Sequence, residues 1–131
     1  MKITDKIKNY EDICTFDGVD PVQSLPFPQE QNAEEIAINS FAKAIRINRV
    51  LNEGWTPDWN NFDERKYYPW FDMETYPGQV GSGAGFSYGD YDFVYSGSCV
   101  GSRLVFKSRE LAEFAGRTFL DTYRGFMVIE K

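Results

Sequence analysis

Apolar residues recur at helical spacing in two long stretches of the chain and crowd together without that spacing between them. In the first stretch, Ala37, Phe41, Ala44, Ile45, Asn48 and Leu51 lie three or four apart, and Ile38, Ile47 and Val50 widen the stripe. Asn32 stands where an N-cap belongs, Glu34 and Glu35 suit the positive end of the helix dipole, and Arg46 and Arg49 suit the other end. Gly54 then stops the pattern, which predicts a helix over about 33–53 with Phe41, Ile45 and Leu51 buried against a sheet. A shorter helix is predicted near 9–17, capped by Asn9 and closed by Gly18, with Tyr10, Ile13, Cys14 and Phe16 on its apolar side. Pro21, Pro26 and Pro28 make 18–31 a loop, which Val22, Leu25 and Phe27 pin to the core.

The middle of the chain reads as extended structure. Residues 54–61 form an irregular loop carrying Trp55 and Trp59. Residues 66–73 predict a strand that Pro69 confines to a sheet edge or a bulge. Glycine-rich 74–85 predicts a flexible loop, 86–95 a strand with a turn near Gly89-Asp90, and Arg103–Lys107 the cleanest strand. Ser108 caps a final helix with Leu111, Ala115, Phe119, Thr122 and Phe126 in one stripe, and Gly116 marks a close helix–sheet contact. Residues 126–129 fit either helix or strand. Strands that segregate from helices argue for one α+β domain spanning 1–131. Its expected form is a small antiparallel sheet of about three to four strands with two to three helices packed on one face.

Composition narrows the function classes. With 42% apolar residues among 131, composition argues against disorder, and no apolar run approaches the ~18 residues of a membrane span. The first fifteen residues alternate Lys, Asp and apolar positions, which argues against a secretory signal. Histidine is absent, which removes His-based triads and His-ligated zinc together. Cys14 and Cys99 read as two reduced, mostly buried thiols of a cytoplasmic protein. A net charge of −6 disfavours double-stranded DNA. The outlying feature is an aromatic content of 17%.

The run Leu51-Asn52-Glu53-Gly54-Trp55-Thr56-Pro57-Asp58-Trp59-Asn60-Asn61, followed by Lys66-Tyr67-Tyr68-Pro69-Trp70-Phe71, resembles a family of short uncharacterised proteins from phages, prophages and gut Bacteroidales genomes. The stretch Val100–Glu113 and the opening Tyr10-Glu11-Asp12-Ile13-Cys14, with Gly18-Val19-Asp20-Pro21, are similar to the same family. The resemblance carries no activity or catalytic residue. It implies the cytoplasm of a bacterial host cell.

Four constellations remain. Gly81-Ser82-Gly83-Ala84-Gly85 has the look of a phosphate cradle, but strand residues follow it and no Lys-Ser or Lys-Thr pair does, so a hairpin loop is the better reading. Trp55, Trp59, Tyr67, Tyr68 and Trp70 form either a stacking platform or a minor core. Carboxylates surround them at Asp58, Asp63, Glu64, Asp72, Glu74, Asp90 and Asp92, in no spacing diagnostic of catalysis or of calcium. Arg103, Lys107, Ser108 and Arg109 gather where a strand meets a helix N-terminus, which suits an anion, unless Glu110 and Glu113 pair with them.

The expectation is a non-enzymatic accessory protein, without cofactor or metal, that binds another protein through an aromatic, acid-rimmed surface. Trp55, Asp58, Trp59, Tyr67, Trp70 and Asp72 are its candidate residues, with at least one of Trp59, Tyr67 and Trp70 exposed near Asp58 or Asp72. Single-stranded nucleic acid or a glycan is the alternative ligand of such rings, and a small carboxylate hydrolase is a third class. The partner's identity and the oligomeric state are not legible in the sequence.

Overall fold

The computed structural model describes residues 2–74 and 85–129, so the glycine-rich loop expected over 74–85 lies, but for its two end residues, outside the described residues. The chain runs α1 (Ile3–Lys6), α2 (Tyr10–Asp17), α3 (Ala33–Leu51), β1 (Lys66–Asp72), β2 (Ser87–Val94), a 3-10 turn at Ser102–Leu104, α4 (Arg109–Thr118) and α5 (Leu120–Met127). It is an α+β fold.

Local chemistry sets the helix ends. The Asp12 amide donates to Asn9 Oδ1 (2.9 Å), the Glu35 amide to Asn32 Oδ1 (2.9 Å) and the Leu111 amide to Ser108 Oγ (3.3 Å), opening α2, α3 and α4. Gly18 closes α2 at φ 71°, a left-handed conformation that suits glycine. The four-residue α1 is too short to leave a periodic signature, yet it places Ile3 and Ile7 in the core. In the proline-rich loop Leu25 is buried, whereas Val22 is exposed and pins nothing. The pin is Asn39 of α3, which accepts from the Phe27 amide (3.0 Å) and donates to the Phe27 carbonyl (2.8 Å) and to Glu30 (2.8 Å).

The long helix does not lie on the sheet. It packs against α5, α2 and the 3-10 turn. Leu51 is buried and Ile45 half-buried, but Phe41 is 41% exposed, its ring edge-on to Phe126 at 5.3 Å. Gly125 lets α5 approach this closely, because a β-carbon there would collide with the Ser40 side chain.

Among the described residues the sheet has two strands where three to four were expected, paired antiparallel with Tyr67 opposite Phe93, Pro69 opposite Tyr91 and a bulge between Trp70 and Phe71. Residues 103–107 form no strand. Only Phe106 bridges to Tyr67, by reciprocal hydrogen bonds of 3.0 and 2.6 Å. The buried Asn52 amide takes the place of a further strand, donating to the Val105 carbonyl (2.9 Å) and accepting from the Lys107 amide (3.1 Å). The last helix also breaks in two at Phe119, whose φ −111° and ψ 33° leave the helical region.

Of the helices, α4 is the one laid across the hairpin, and α2, α3 and α5 pack chiefly on one another. A β-carbon on Gly116 would collide with the Tyr88 ring and sit 2.9 Å from Pro69, so the glycine is what allows helix and hairpin to touch. Phe71 joins the two layers, stacked on Phe86 (4.9 Å) and tilted on Tyr123 (4.8 Å). Among the described residues, no helix is long and apolar enough to cross a membrane.

Candidate binding surface on the hairpin

Strand alternation sorts the hairpin's side chains onto two faces. Tyr67, Pro69 and Phe71 share the face under α4 with Tyr88, Tyr91 and Phe93. Arginines cover the rings there, with Arg65 4.5 Å from the Phe93 centroid, Arg109 5.2 Å from Tyr91 and Arg117 5.0 Å from Tyr88. The opposite face carries Lys66, Tyr68, Trp70 and Asp72, with Asp92 opposite Tyr68 and Asp90 opposite Trp70. Lys66 and Tyr68 are buried, whereas Trp70 is 54% exposed.

The six candidate residues therefore do not form one surface. Trp55 is half-buried in the loop after α3. Asp58 is a turn residue whose Oδ1 accepts from the Asn60 amide (3.0 Å). Trp59 donates its indole N–H to Ser102 (2.6 Å) beneath the Lys66 ammonium, 5.3 Å from the ring. Tyr67 lies on the α4 face, 5.8 Å from both Tyr91 and Phe93. Trp70 and Asp72 alone of the six share the outer face, and Asp90 and Asp92 of β2 join them.

Lys66 is the residue that sequence reasoning missed. Its side chain is wholly buried, and the ammonium donates to the carbonyls of Asn61 (3.0 Å), Glu64 (3.0 Å) and Tyr95 (2.5 Å), with Glu64 Oε1 at 3.5 Å. The Glu64 carboxylate also accepts from the Asp58 amide (2.8 Å). One buried cation thus gathers the 58–66 loop and fixes the start of β1.

Around Trp70 the carboxylates are fixed by neighbours. Asp92 Oδ1 accepts from the Phe93 amide (2.7 Å) and its Oδ2 from the Tyr68 hydroxyl (3.3 Å). Asp90 Oδ1 accepts from the Tyr91 amide (2.8 Å). Burial, reinforced by the Asp92 charge, pushes the Tyr68 phenol up to about 12. The Asp72 carboxylate lies over Gly89, where a β-carbon would come within 3.1 Å of it. The signal for this rim was the period-two placing of Asp90 and Asp92 about Tyr91.

The cationic junction is already occupied. Ser108 caps α4, Lys107 lies 3.7 Å from Glu53, and Arg109 donates to Glu113 (3.0 Å) while covering Tyr91. Arg103 is exposed on the 3-10 turn. The adjoining groove mixes Lys2, Lys107 and Arg117 with Glu53, Glu110 and Glu113, which gives an anion no net attraction. Among the described residues, no group of three or more acidic or cysteine side chains is placed to hold a metal ion. Cys14 is buried and free, whereas Cys99 is free but exposed, contrary to its expected burial. The chain matches no protein-family model, no curated protein and no solved structure.

Proposed function

We propose that this chain is a non-enzymatic binding protein that presents Trp70, ringed by Asp72, Asp90 and Asp92, to another protein. The observation that carries the reading is a contrast within one strand. The neighbouring large aromatics Tyr68 and Phe71 are buried, yet Trp70 between them is 54% exposed. An uncovered tryptophan in a fixed frame is typical of the anchors at protein interfaces.

The rim favours a protein over the alternative ligands. A single strand of nucleic acid needs Lys or Arg beside the open ring, and the groups beside Trp70 are carboxylates. The hydrolase reading needs two carboxyls facing across a cleft, whereas Asp90 and Asp92 lie in a row along one strand, each bonded to a backbone amide. The cytoplasm of a phage-bearing bacterium is the setting we propose, and it rests on the resemblance of the Trp55 and Arg103 stretches.

The test is Trp70→Ala. The loss of stability should stay within about 2 kcal/mol, because more than half of the residue is exposed, while capture of the partner from bacterial lysate is lost. Equal capture by parent and variant would sink the reading.

A further inference from the structure

We infer that the outer edge of β2 accepts an extended, basic segment of the partner as a third strand, with Asp90 and Asp92 as its gate. The inference deepens the reading of the Trp70 face and rests on it. The geometry begins at Tyr67, whose amide and carbonyl both bond Phe106. They therefore point away from β2, and Tyr67–Phe93 is a pair of the non-hydrogen-bonded kind. The amide and carbonyl of Phe93 consequently point outward, away from β1, and those of Tyr91, two residues earlier, do the same. Among the described residues, no backbone group meets that edge.

Both outward amides are capped by the residue before them, Tyr91 by Asp90 (2.8 Å) and Phe93 by Asp92 (2.7 Å). A neutral strand would have to break these charge-assisted bonds to reach the edge. A strand carrying Lys or Arg can draw each carboxylate onto itself, release the amides, and give them its own carbonyls. Alternation then sets the spacing. Side chains two apart on the incoming strand fall on the face of Asp90 and Asp92, with Trp70 one strand further in, so the partner needs basic residues at i and i+2. A second copy of β2 is a poor occupant, since antiparallel self-pairing would set these carboxylates against each other. The chain's net charge of −6 draws a basic segment toward it.

The experiment measures amide exchange by NMR with a short synthetic peptide of alternating lysine and valine. Its control has the same composition with the lysines in one block. The alternating peptide should slow exchange at Tyr91 and Phe93, and the blocked peptide should not. The double variant Asp90→Asn with Asp92→Asn keeps the capping oxygens and removes the charge, and should weaken binding by roughly tenfold. Equal protection by both peptides, or binding that the double variant leaves unchanged, overturns the proposal. If the alternating peptide leaves both amides unprotected while Trp70→Ala still abolishes partner capture, strand addition fails and the docking face stands. If Trp70→Ala captures the partner normally, both fall.

Discussion

Replacing Lys66 with methionine weighs the hub that holds the 58–66 loop. Methionine has nearly the same length and keeps the packing of the stem, but it cannot donate. The carbonyls of Glu64 (3.0 Å) and Tyr95 (2.5 Å) lose the ammonium as donor, while the Asn61 carbonyl keeps the Glu64 amide and the Glu64 carboxylate keeps the Asp58 amide. Each orphaned buried acceptor costs about 1–3 kcal/mol. Part of that is offset, because an ammonium no longer has to leave water, a transfer that itself costs several kcal/mol. With two carbonyls orphaned and no charge left buried, the net expectation is a loss of about 1–3 kcal/mol out of a total near 5–15. Urea unfolding followed by circular dichroism measures it. Trp59 fluorescence gives a local readout, since the cation 5.3 Å above its ring disappears. Stability equal to or above the parent would refute the reasoning. It would mean that the carbonyls find water in the variant, and that the ammonium compensates its own burial without organising the loop.

Gly116→Ala should destabilise by about 1–3 kcal/mol in thermal unfolding despite alanine's helix propensity, because the new methyl meets Tyr88 and Pro69 within 2.9 Å. Burial raises the phenols of Tyr10 and Tyr68 to about 12, while an unfolded tyrosine ionises near pH 10. Stability should therefore be full below about pH 10 and fall as pH rises toward 12, since the unfolded chain releases protons that the folded chain keeps. Tyrosinate absorbance rising with a normal midpoint for all eight tyrosines of the folded protein would contradict this. Exposed Cys99 should react with a thiol reagent within the mixing time and buried Cys14 only on unfolding. Two equally fast thiols would refute the placement.

The sequence revealed features whose cause lies within a few residues. Asn9, Asn32 and Ser108 were legible as caps because a cap bonds a backbone amide close by in sequence. Gly116 was legible because a glycine inside an apolar helical stripe has few other uses. What failed depends on distant partners. Residues 103–107 have strand-like content, but the Asn52 amide, from the far end of α3, decides that they stay single. The stripe of α3 was read correctly as apolar, yet a hairpin of two strands is too narrow to receive it, and α5 covers it instead. Lys66 was invisible for a different reason. Lysine is almost always exposed, so nothing in its own neighbourhood announces burial. At the candidate surface, the exposure of one ring near Asp72 was legible, but the separation of Trp59 and Tyr67 from Trp70 required the register of the hairpin.

That register bears on how the surface can bind. Pro69 and Phe71, the residues on either side of Trp70, are both buried, one against Gly116 of α4 and the other among Phe86 and Tyr123. The backbone beneath the exposed ring is thus anchored at both neighbours, and strand alternation turns that ring outward while Phe71 stays in the core. A tryptophan has only two side-chain torsions to fix. With its backbone already set, little ordering cost opposes association. The same ring on the 54–61 loop would need that loop ordered first, which Lys66 and Ser102 do by drawing Trp59 inward and out of play. Trp59 and Trp70 thus stand in opposite environments. Trp59 holds the loop closed from within, and Trp70 is left exposed between two packed neighbours of β1.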